Sequence, residues 1–288
     1  MDVTAERITF WFGCNMLRHA EMIRLSILLL ERAGYDVRAA GGPAHCCGTA
    51  HDHHPHPASH MAGRTVGRFN EAAEQDGRTT VATWCPSCHM HMSDIMAPGN
   101  PTLFDIAHIT ELLADRAERL APLLRVPVNR RVLLHRHIGF ATHVPVNDRV
   151  ASLLARVSGL VLIEGPAHPG HMCSALAPVP GALNSALNET WAAALAHRAD
   201  TIATVFHPCH RELAAWDGRE GIAIRNWVQL IAEGMGIESS DAYIGWRRGS
   251  APDIAAIERA DPAKYQMLVE TELQRPAPPP NVSGSVTE

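Results

Sequence analysis

Apolar residues along the chain fall into two alternating patterns. Short continuous runs at Ile8–Phe12, Val37–Ala40, Thr80–Trp84, Val132–His135, Val161–Glu164 and Thr201–Val205 read as strands, each followed by a loop rich in Gly, Pro, His or Cys. Between them, apolar residues recur at i, i+3 and i+4 over Leu17–Ala33, Ser59–Glu74, Ile109–Arg119, Asn147–Val157, Ala182–Arg198 and Ile222–Glu233, which predicts helices. Alternation of this kind predicts an α/β fold with parallel strands. From Gln274 to Glu288 the pattern stops; Pro276, Pro278, Pro279 and Pro280 with Gly and Ser predict a disordered tail.

The chain also repeats itself. Thr80-Val-Ala-Thr-Trp-Cys-Pro-Ser-Cys-His89 lies over Thr201-Ile-Ala-Thr-Val-Phe-His-Pro-Cys-His210, with identity at five of ten positions and an offset of 121 residues. Arg7-Ile-Thr-Phe over Arg131-Val-Leu-Leu, and His45-Cys-Cys-Gly48 over His171-Met-Cys-Ser174, keep the same order at offsets of 124 and 126. A near-constant offset predicts two tandem, pseudo-symmetric α/β units with short parallel sheets, spanning residues 1–125 and 126–273, before the tail at 274–288.

With 288 residues, 46% hydrophobic and 19% charged, the chain is long enough for two ordinary domains with a packed core. No run approaches the roughly 20 apolar residues that span a bilayer. A net charge of −5 without a basic block argues against nucleic acid or an anionic membrane as the main partner. No Gly-x-Gly-x-x-Gly or P-loop pattern marks a nucleotide site. Met1 to Arg7 lacks a basic start or an apolar signal region, so the expected compartment is the cytoplasm. Thiols stay reduced there, and seven clustered cysteines then point to metal or redox chemistry before disulfides.

Five of the seven lie in the first 90 residues: Cys14, the pair Cys46–Cys47 followed by Gly48, and Cys85-Pro-Ser-Cys88. Each sits in a loop after a strand-like run, and such loops converge at the carboxyl edge of a parallel sheet, where ligands bind. Structural zinc and a cubane [4Fe–4S] cluster each take four ligands. A fifth thiol and an adjacent Cys-Cys pair suggest an expanded iron–sulfur arrangement; zinc with fewer ligands and an ordinary cubane are the alternatives.

The spacing resembles the cysteine-rich CCG domain found in the B subunit of heterodisulfide reductase and its relatives: one Cys, a gap, Cys-Cys-Gly, a second gap, then Cys-x-x-Cys. The resemblance extends over nearly the whole chain, because that family carries two tandem copies. It implies that Cys14, Cys46, Cys47, Cys85 and Cys88 hold a noncubane [4Fe–4S] cluster. It further implies a redox subunit acting on a thiol, disulfide or lipoate-bound sulfur, with a ferredoxin-like C subunit, a flavin-bearing A subunit and a lipoate-binding protein as partners. Two other readings compete: an electron-relay subunit of a lactate or glycolate oxidase or quinone-linked dehydrogenase, and a zinc-stabilised interaction module.

The second copy departs from the motif. Cys14 corresponds to Ile138, Cys46 to Met172, Cys47 to Cys173, Cys85 to Phe206 and Cys88 to Cys209. Ile and Phe cannot bind iron, so a second cluster is not expected. His135, His137, His143, His168, His171, His207 and His210 nevertheless surround Cys173 and Cys209 in sequence. Three readings stand. One is a mixed Cys/His site for zinc or mononuclear iron. Another is a substrate pocket in which Cys173, Cys209, His207 and His210 are catalytic. The third is a decayed motif of buried thiols and hydrogen-bonded imidazoles.

The histidines at 51, 53, 54, 56 and 60 read as a solvated insertion made loop-like by Pro55 and Pro57, ahead of a metal-catching or proton-relaying loop. His45, His89 and His91 flank ligand positions and are candidates to hydrogen-bond a cluster sulfur. Arg18, Arg64 and Arg68 read as solvated helix faces before they read as charge compensation, and Met16, Met90, Met92 and Met96 as core or interface filler.

Overall fold

The computed structural model describes residues 5–49 and 55–248. Its first sheet is built from β1 (Glu6–Gly13), β2 (Tyr35–Gly41), β3 (Thr80–Thr83) and β4 (Asp105–His108), in the order β2-β1-β3-β4, all parallel. Its second sheet, from β5 (Arg130–His137), β6 (Leu160–His168), β7 (Thr201–Thr204) and β8 (Ala223–Asn226), repeats that order as β6-β5-β7-β8, again all parallel. The registers agree as well: Ile8 pairs with Thr80 in the first sheet and Val132 with Thr201 in the second. The pseudo-symmetric α/β fold expected from the repeat is therefore present strand for strand.

Helices α1 (Ala20–Arg32), α2 (Pro55–Asp76), α4 (Ile109–Asp115) and the short α5 (Ala117–Leu120) belong to the first unit, along with α3 (Pro86–His91). The second unit has α6 (Val146–Leu154), α7 (Ala182–Ala196), α8 (His207–Leu213), α9 (Trp227–Gly234) and α10 (Ala242–Arg247). In α1 the buried positions are Met22, Leu25, Ser26, Leu29 and Leu30, the single stripe that a 3.6-residue period produces. In β1 the consecutive residues Ile8, Thr9, Phe10 and Trp11 are all buried, because helices cover both faces of a central parallel strand.

One hydrophobic core runs through both units, joining Phe10, Leu29 and Trp84 to Leu133, Ile202 and Trp227. Trp84 and Trp227 stack across it with ring centroids 5.5 Å apart and planes 9° from parallel. Polar contacts also bridge the units: His143 Nε2 lies 3.0 Å from Asp94 and Arg149 3.6 Å from Glu111. A second apolar cluster, including Trp11, Phe69, Val81, Met92, Met96 and Phe104, lies within the first unit and contains Cys47, Cys85 and Cys88.

Several predicted elements need correction. The helix expected over Ile222–Glu233 is a strand followed by a helix, and β4 is a strand where none was expected. Both are four-residue edge strands, too short to show a period. The helix expected over Ile109–Arg119 breaks at Arg116 into α4 and α5. Pro55 and Pro57 do not make a loop: they occupy the first turn of α2, where a proline's missing N–H costs nothing. His56 on that turn and His60 one turn later are exposed, whereas the histidines at 51, 53 and 54, and the tail at 274–288, lie outside the described residues. Among the described residues, no helix is long and apolar enough to cross a membrane.

Candidate functional site

In each sheet the chain order reverses beside the central strand, between β1 and β3 and again between β5 and β7. The carboxyl ends of these strands flank a crevice, the usual ligand position in an open α/β sheet. Cys14 follows β1 directly, Cys85 follows β3 as the residue capping α3, and Cys88 sits in the first turn of α3 behind Pro86. Cys46 and Cys47 follow β2 and a single turn at Pro43–His45. The five cysteines therefore line one cavity although 74 residues separate the first from the last.

The backbone around them is fixed. Gly13 has φ of +81°, and a Cβ there would stand 3.2 Å from Cys88 Sγ, so a side chain at the end of β1 would need a strained left-handed backbone and a displaced Cys88 sulfur. Gly48 of the Cys-Cys-Gly run has φ of +89°, and its Cβ would lie 2.8 Å from the Ala58 carbonyl oxygen. Trp11 Nε1 donates to His45 O at 2.8 Å, Thr65 Oγ1 donates to Cys46 O at 2.8 Å, and Arg64 and Arg68 donate to the carbonyls of Pro43 and Ala44. Arg64 and Arg68 thus hold the cysteine loop by its backbone. His45 contacts Gly41 O and His89 contacts Thr83 Oγ1. Met16, Met92 and Met96 are buried filler, as expected.

Cys47 and Cys88 sulfurs are 3.7 Å apart, Cys47 Sγ is 3.0 Å from Thr49 Oγ1, and Gly48 N–H donates to Cys46 Sγ at 3.4 Å. Crowding shows in the acidities. A hydrogen bond to Cys46, burial and the neighbouring thiols push Cys14 far above the ordinary thiol range. Cys46 pushes Cys47 up to about 11, and Cys47 and Cys85 push Cys88 up strongly, while the Cys88 hydrogen bond holds Cys85 below its ordinary value. Thiols arranged this way ionise together only around a cationic centre. The donor set therefore fits an iron–sulfur cluster, with all five motif cysteines brought together.

The cavity has a volume of about 540 Å³, and its opposite wall comes from the second unit: His171, Met172, Ala175, Pro178 and His207. Ser87, within the Cys-x-x-Cys turn, contacts His171 Nε2 at 2.8 Å and ties the two walls together.

Behind that wall, the second unit gathers a different set. His135 and His137 at the end of β5, Cys173 after β6 and Cys209 in α8 are all fully buried, with their ligand atoms within 4.8 Å of one another. His135 Nε2 is 3.2 Å and His137 Nε2 3.5 Å from Cys173 Sγ, and Cys173 N–H donates to Cys209 Sγ at 3.4 Å. Burial and Cys209 push the Cys173 thiol up. Burial would do the same to Cys209, but the Cys173 hydrogen bond and the adjoining His137 and His135 hold it well below the ordinary range.

The remaining histidines go elsewhere. His143 faces Asp94, His168 contacts Thr190, and His210 is buried between Thr204 and Asp241, 2.8 Å from the latter. His207 lines the cavity, and its buried Nδ1 has no hydrogen-bond partner among the described residues. Of the lost ligand positions, Ile138 is exposed while Met172 and Phe206 are buried. Neither Thr190, which follows Asn188 and Glu189, nor Asp241, which ends the polar run from Glu238, stands out in the sequence as the partner of a histidine.

Comparison with known proteins agrees with this geometry. The family model of the CCG cysteine-rich domain matches residues 8–93. The D subunit of the dihydromethanophenazine:CoB–CoM heterodisulfide reductase of Methanosarcina barkeri is 25% identical over 248 residues, 81% of this chain and 60% of that protein. Its counterpart in Methanosarcina mazei is 24% identical over 247 residues, with the same coverage. The chain thus spans about three fifths of the length of these relatives. Among solved structures, an aspartate racemase homologue from Pyrococcus horikoshii covers 79% of this chain and 96% of its own at 9% identity, with a TM-score of 0.32, too loose a likeness to bear on function.

Proposed function

Because the chain carries a CCG cysteine-rich domain and is related over most of its length to heterodisulfide reductase subunits, we propose that it is an iron–sulfur redox subunit of such a complex. In this reading Cys14, Cys46, Cys47, Cys85 and Cys88 hold one [4Fe–4S] cluster of the noncubane type. The observation that carries the proposal is that all five thiols face a single cavity closed on its far side by the other unit.

The cluster, when bound, passes electrons one at a time to or from a sulfur substrate. The residues facing the thiols support a sulfur substrate of apolar character. The cavity of about 540 Å³ is lined by the thiols themselves, so it includes the space the cluster would occupy, and it extends from them to the wall formed by the second unit. Met172, Ala175 and Pro178 give this space an apolar wall that suits the alkyl chain of a thiol, disulfide or lipoyl group. Splitting a disulfide consumes two electrons and two protons and yields two thiols. The electrons come from partner subunits, a flavin-bearing A subunit and a ferredoxin-like C subunit, and His207 and His171 stand at the cavity to exchange the protons. In this reading the complex works in the cytoplasm, and a lipoate-binding protein is the candidate carrier of the substrate.

Of the residues expected to be catalytic, His207 belongs at the cavity. His210 is engaged with Asp241, and Cys173 and Cys209 are fully buried, so a substrate sulfur reaches them only if the intervening loop opens. The test is anaerobic purification with iron analysis and electron paramagnetic resonance. About four iron atoms per chain are expected, along with an oxidised-state signal that changes when a thiol substrate is added. Cys47→Ser should lose or alter that signal. Fewer than about two iron atoms per chain, or an unchanged spectrum in Cys47→Ser, would overturn the assignment.

A further inference from the structure

His135 and His137 present the same ring nitrogen to the same place. The Thr190 hydroxyl donates to Ala186 O at 2.9 Å, which uses its one hydrogen. It must therefore accept from His135 Nδ1–H at 2.8 Å, which leaves His135 Nε2 as a bare lone pair facing Cys173. His137 Nδ1 lies 3.0 Å from Pro169 O, an acceptor only, so Nδ1 carries the proton and the neutral ring presents Nε2 as a lone pair. An outer partner that fixes the tautomer and aims the other nitrogen inward is the usual support for a metal-binding imidazole.

We propose that His135, His137, Cys173 and Cys209 bind one zinc ion in a closed tetrahedral site. Zn–S bonds of about 2.3 Å and Zn–N bonds of about 2.1 Å require neighbouring ligand atoms to lie about 3.4–3.8 Å apart. The two Nε2–Sγ distances of 3.2 and 3.5 Å are already near those values, and all four ligand atoms fall within 4.8 Å. Two thiolates and two neutral imidazoles balance the charge of the ion, and binding requires both sulfurs to be deprotonated. All four residues are fully buried, so water has no access to a further coordination position and the site is structural.

Its mechanical role follows from where the ligands lie. Cys173 stands between Met172 and Ala175, two residues of the cavity's far wall, and Cys209 is two residues beyond His207, another residue of that wall. The ion pins both segments to the end of β5. The proposal concerns a different set of residues from the five-cysteine cluster and does not depend on it.

The test uses the full-length protein, expressed with zinc available and purified anaerobically. Elemental analysis should find one zinc per chain besides iron, and zinc-edge X-ray absorption should give two sulfur and two nitrogen neighbours. Cys173→Ser and His137→Gln should each reduce zinc to about a tenth or less while iron is retained. Absence of zinc from the wild-type protein, a zinc shell of four sulfurs, or full zinc retention in both variants would overturn the site. Should the variants fail to fold, the absorption edge of the wild-type protein decides alone. Loss of iron with zinc intact would count against the cluster and leave this proposal standing.

Discussion

The two units are the same scaffold with different ends. Both run their strands in the same order, and both place a threonine of the third strand against a histidine one residue past the last cysteine: Thr83 with His89 and Thr204 with His210. Both juxtapose the second member of the Cys-Cys position with that last cysteine, as Cys47 with Cys88 and Cys173 with Cys209. They differ at the end of the central strand. The first unit has Trp11 and Gly13 where the second has His135 and His137, and it keeps the three thiols that the second replaces with Ile138, Met172 and Phe206. Gly13 leaves open the space that the His137 imidazole occupies in the second unit, whereas at Trp11 and His135 the first unit has the bulkier side chain and the second has the one that can bind a metal. On the two proposals above, a cluster cradle and a mononuclear site would thus differ by side-chain volume at one strand position, by donor chemistry at another, and by ligand count.

The comparison breaks most sharply at Gly13. Gly13→Ala forces a side chain into a left-handed backbone and against Cys88 Sγ, at a cost of about 1–3 kcal/mol of strain. Iron content should collapse while zinc in the second unit stays, as elemental analysis would show; full iron retention would mean the glycine is not what makes the cradle. Filling the cavity from the other side comes next. Met172→Trp should keep the iron signal but lower turnover with a disulfide substrate at least about tenfold, which corresponds to about 1.4 kcal/mol. Equal turnover would place the substrate elsewhere.

Thr190→Val tests the second unit through a residue that is itself no ligand. Losing the hydroxyl strands His135 and His168, so zinc affinity should fall about 10–100-fold and stability by about 1–3 kcal/mol. Competition with a chelator measures the first and denaturant unfolding the second.

The smallest effect swaps a cap between copies. His108 caps α4 with Glu111 as its reciprocal partner, and Asn226 caps α9 with Gln229 in the same way. His108 Nε2 meets Trp84 O as Asn226 Nδ2 meets Thr204 O. His108→Asn should therefore change stability at neutral pH by less than about 1 kcal/mol. The difference appears in acid. Burial, with help from His89, lowers His108 to about 3 from an ordinary 6.5, so the unfolded chain binds the proton first and stability is lost as pH falls between those values. By pH 5 the wild-type protein should have lost about 2 kcal/mol that the Asn variant keeps. Parallel unfolding curves at both pH values would refute this.

The sequence makes the paired architecture legible because three local patterns recur at nearly the same offset, and β1, β3, β5 and β7, buried on both faces, read as unbroken apolar runs. It hides β4 and β8, whose four residues lead straight into a capped helix and share its apolar content. It misleads at Pro55 and Pro57, since a proline signals a loop and a first helical turn equally well. For the sites, the five cysteines are legible from spacing, and the second histidine group from its density. That His135 and His137 meet Cys173 and Cys209 while His143 and His210 turn to carboxylates depends on partners distant in sequence, Thr190, Asp94 and Asp241, which no local pattern reveals.

The bond between Ser87 and His171 has a consequence for the history of such a chain. It joins the ligand-bearing turn of one copy to the loop of the other, so the cavity is an internal seam rather than a property of either unit. Once two copies share a seam, only one needs to keep the original chemistry, provided the other keeps its shape. On the proposed function, the thiols of one copy and the imidazoles of the other would then be a division of labour between a part that reacts and a part that encloses.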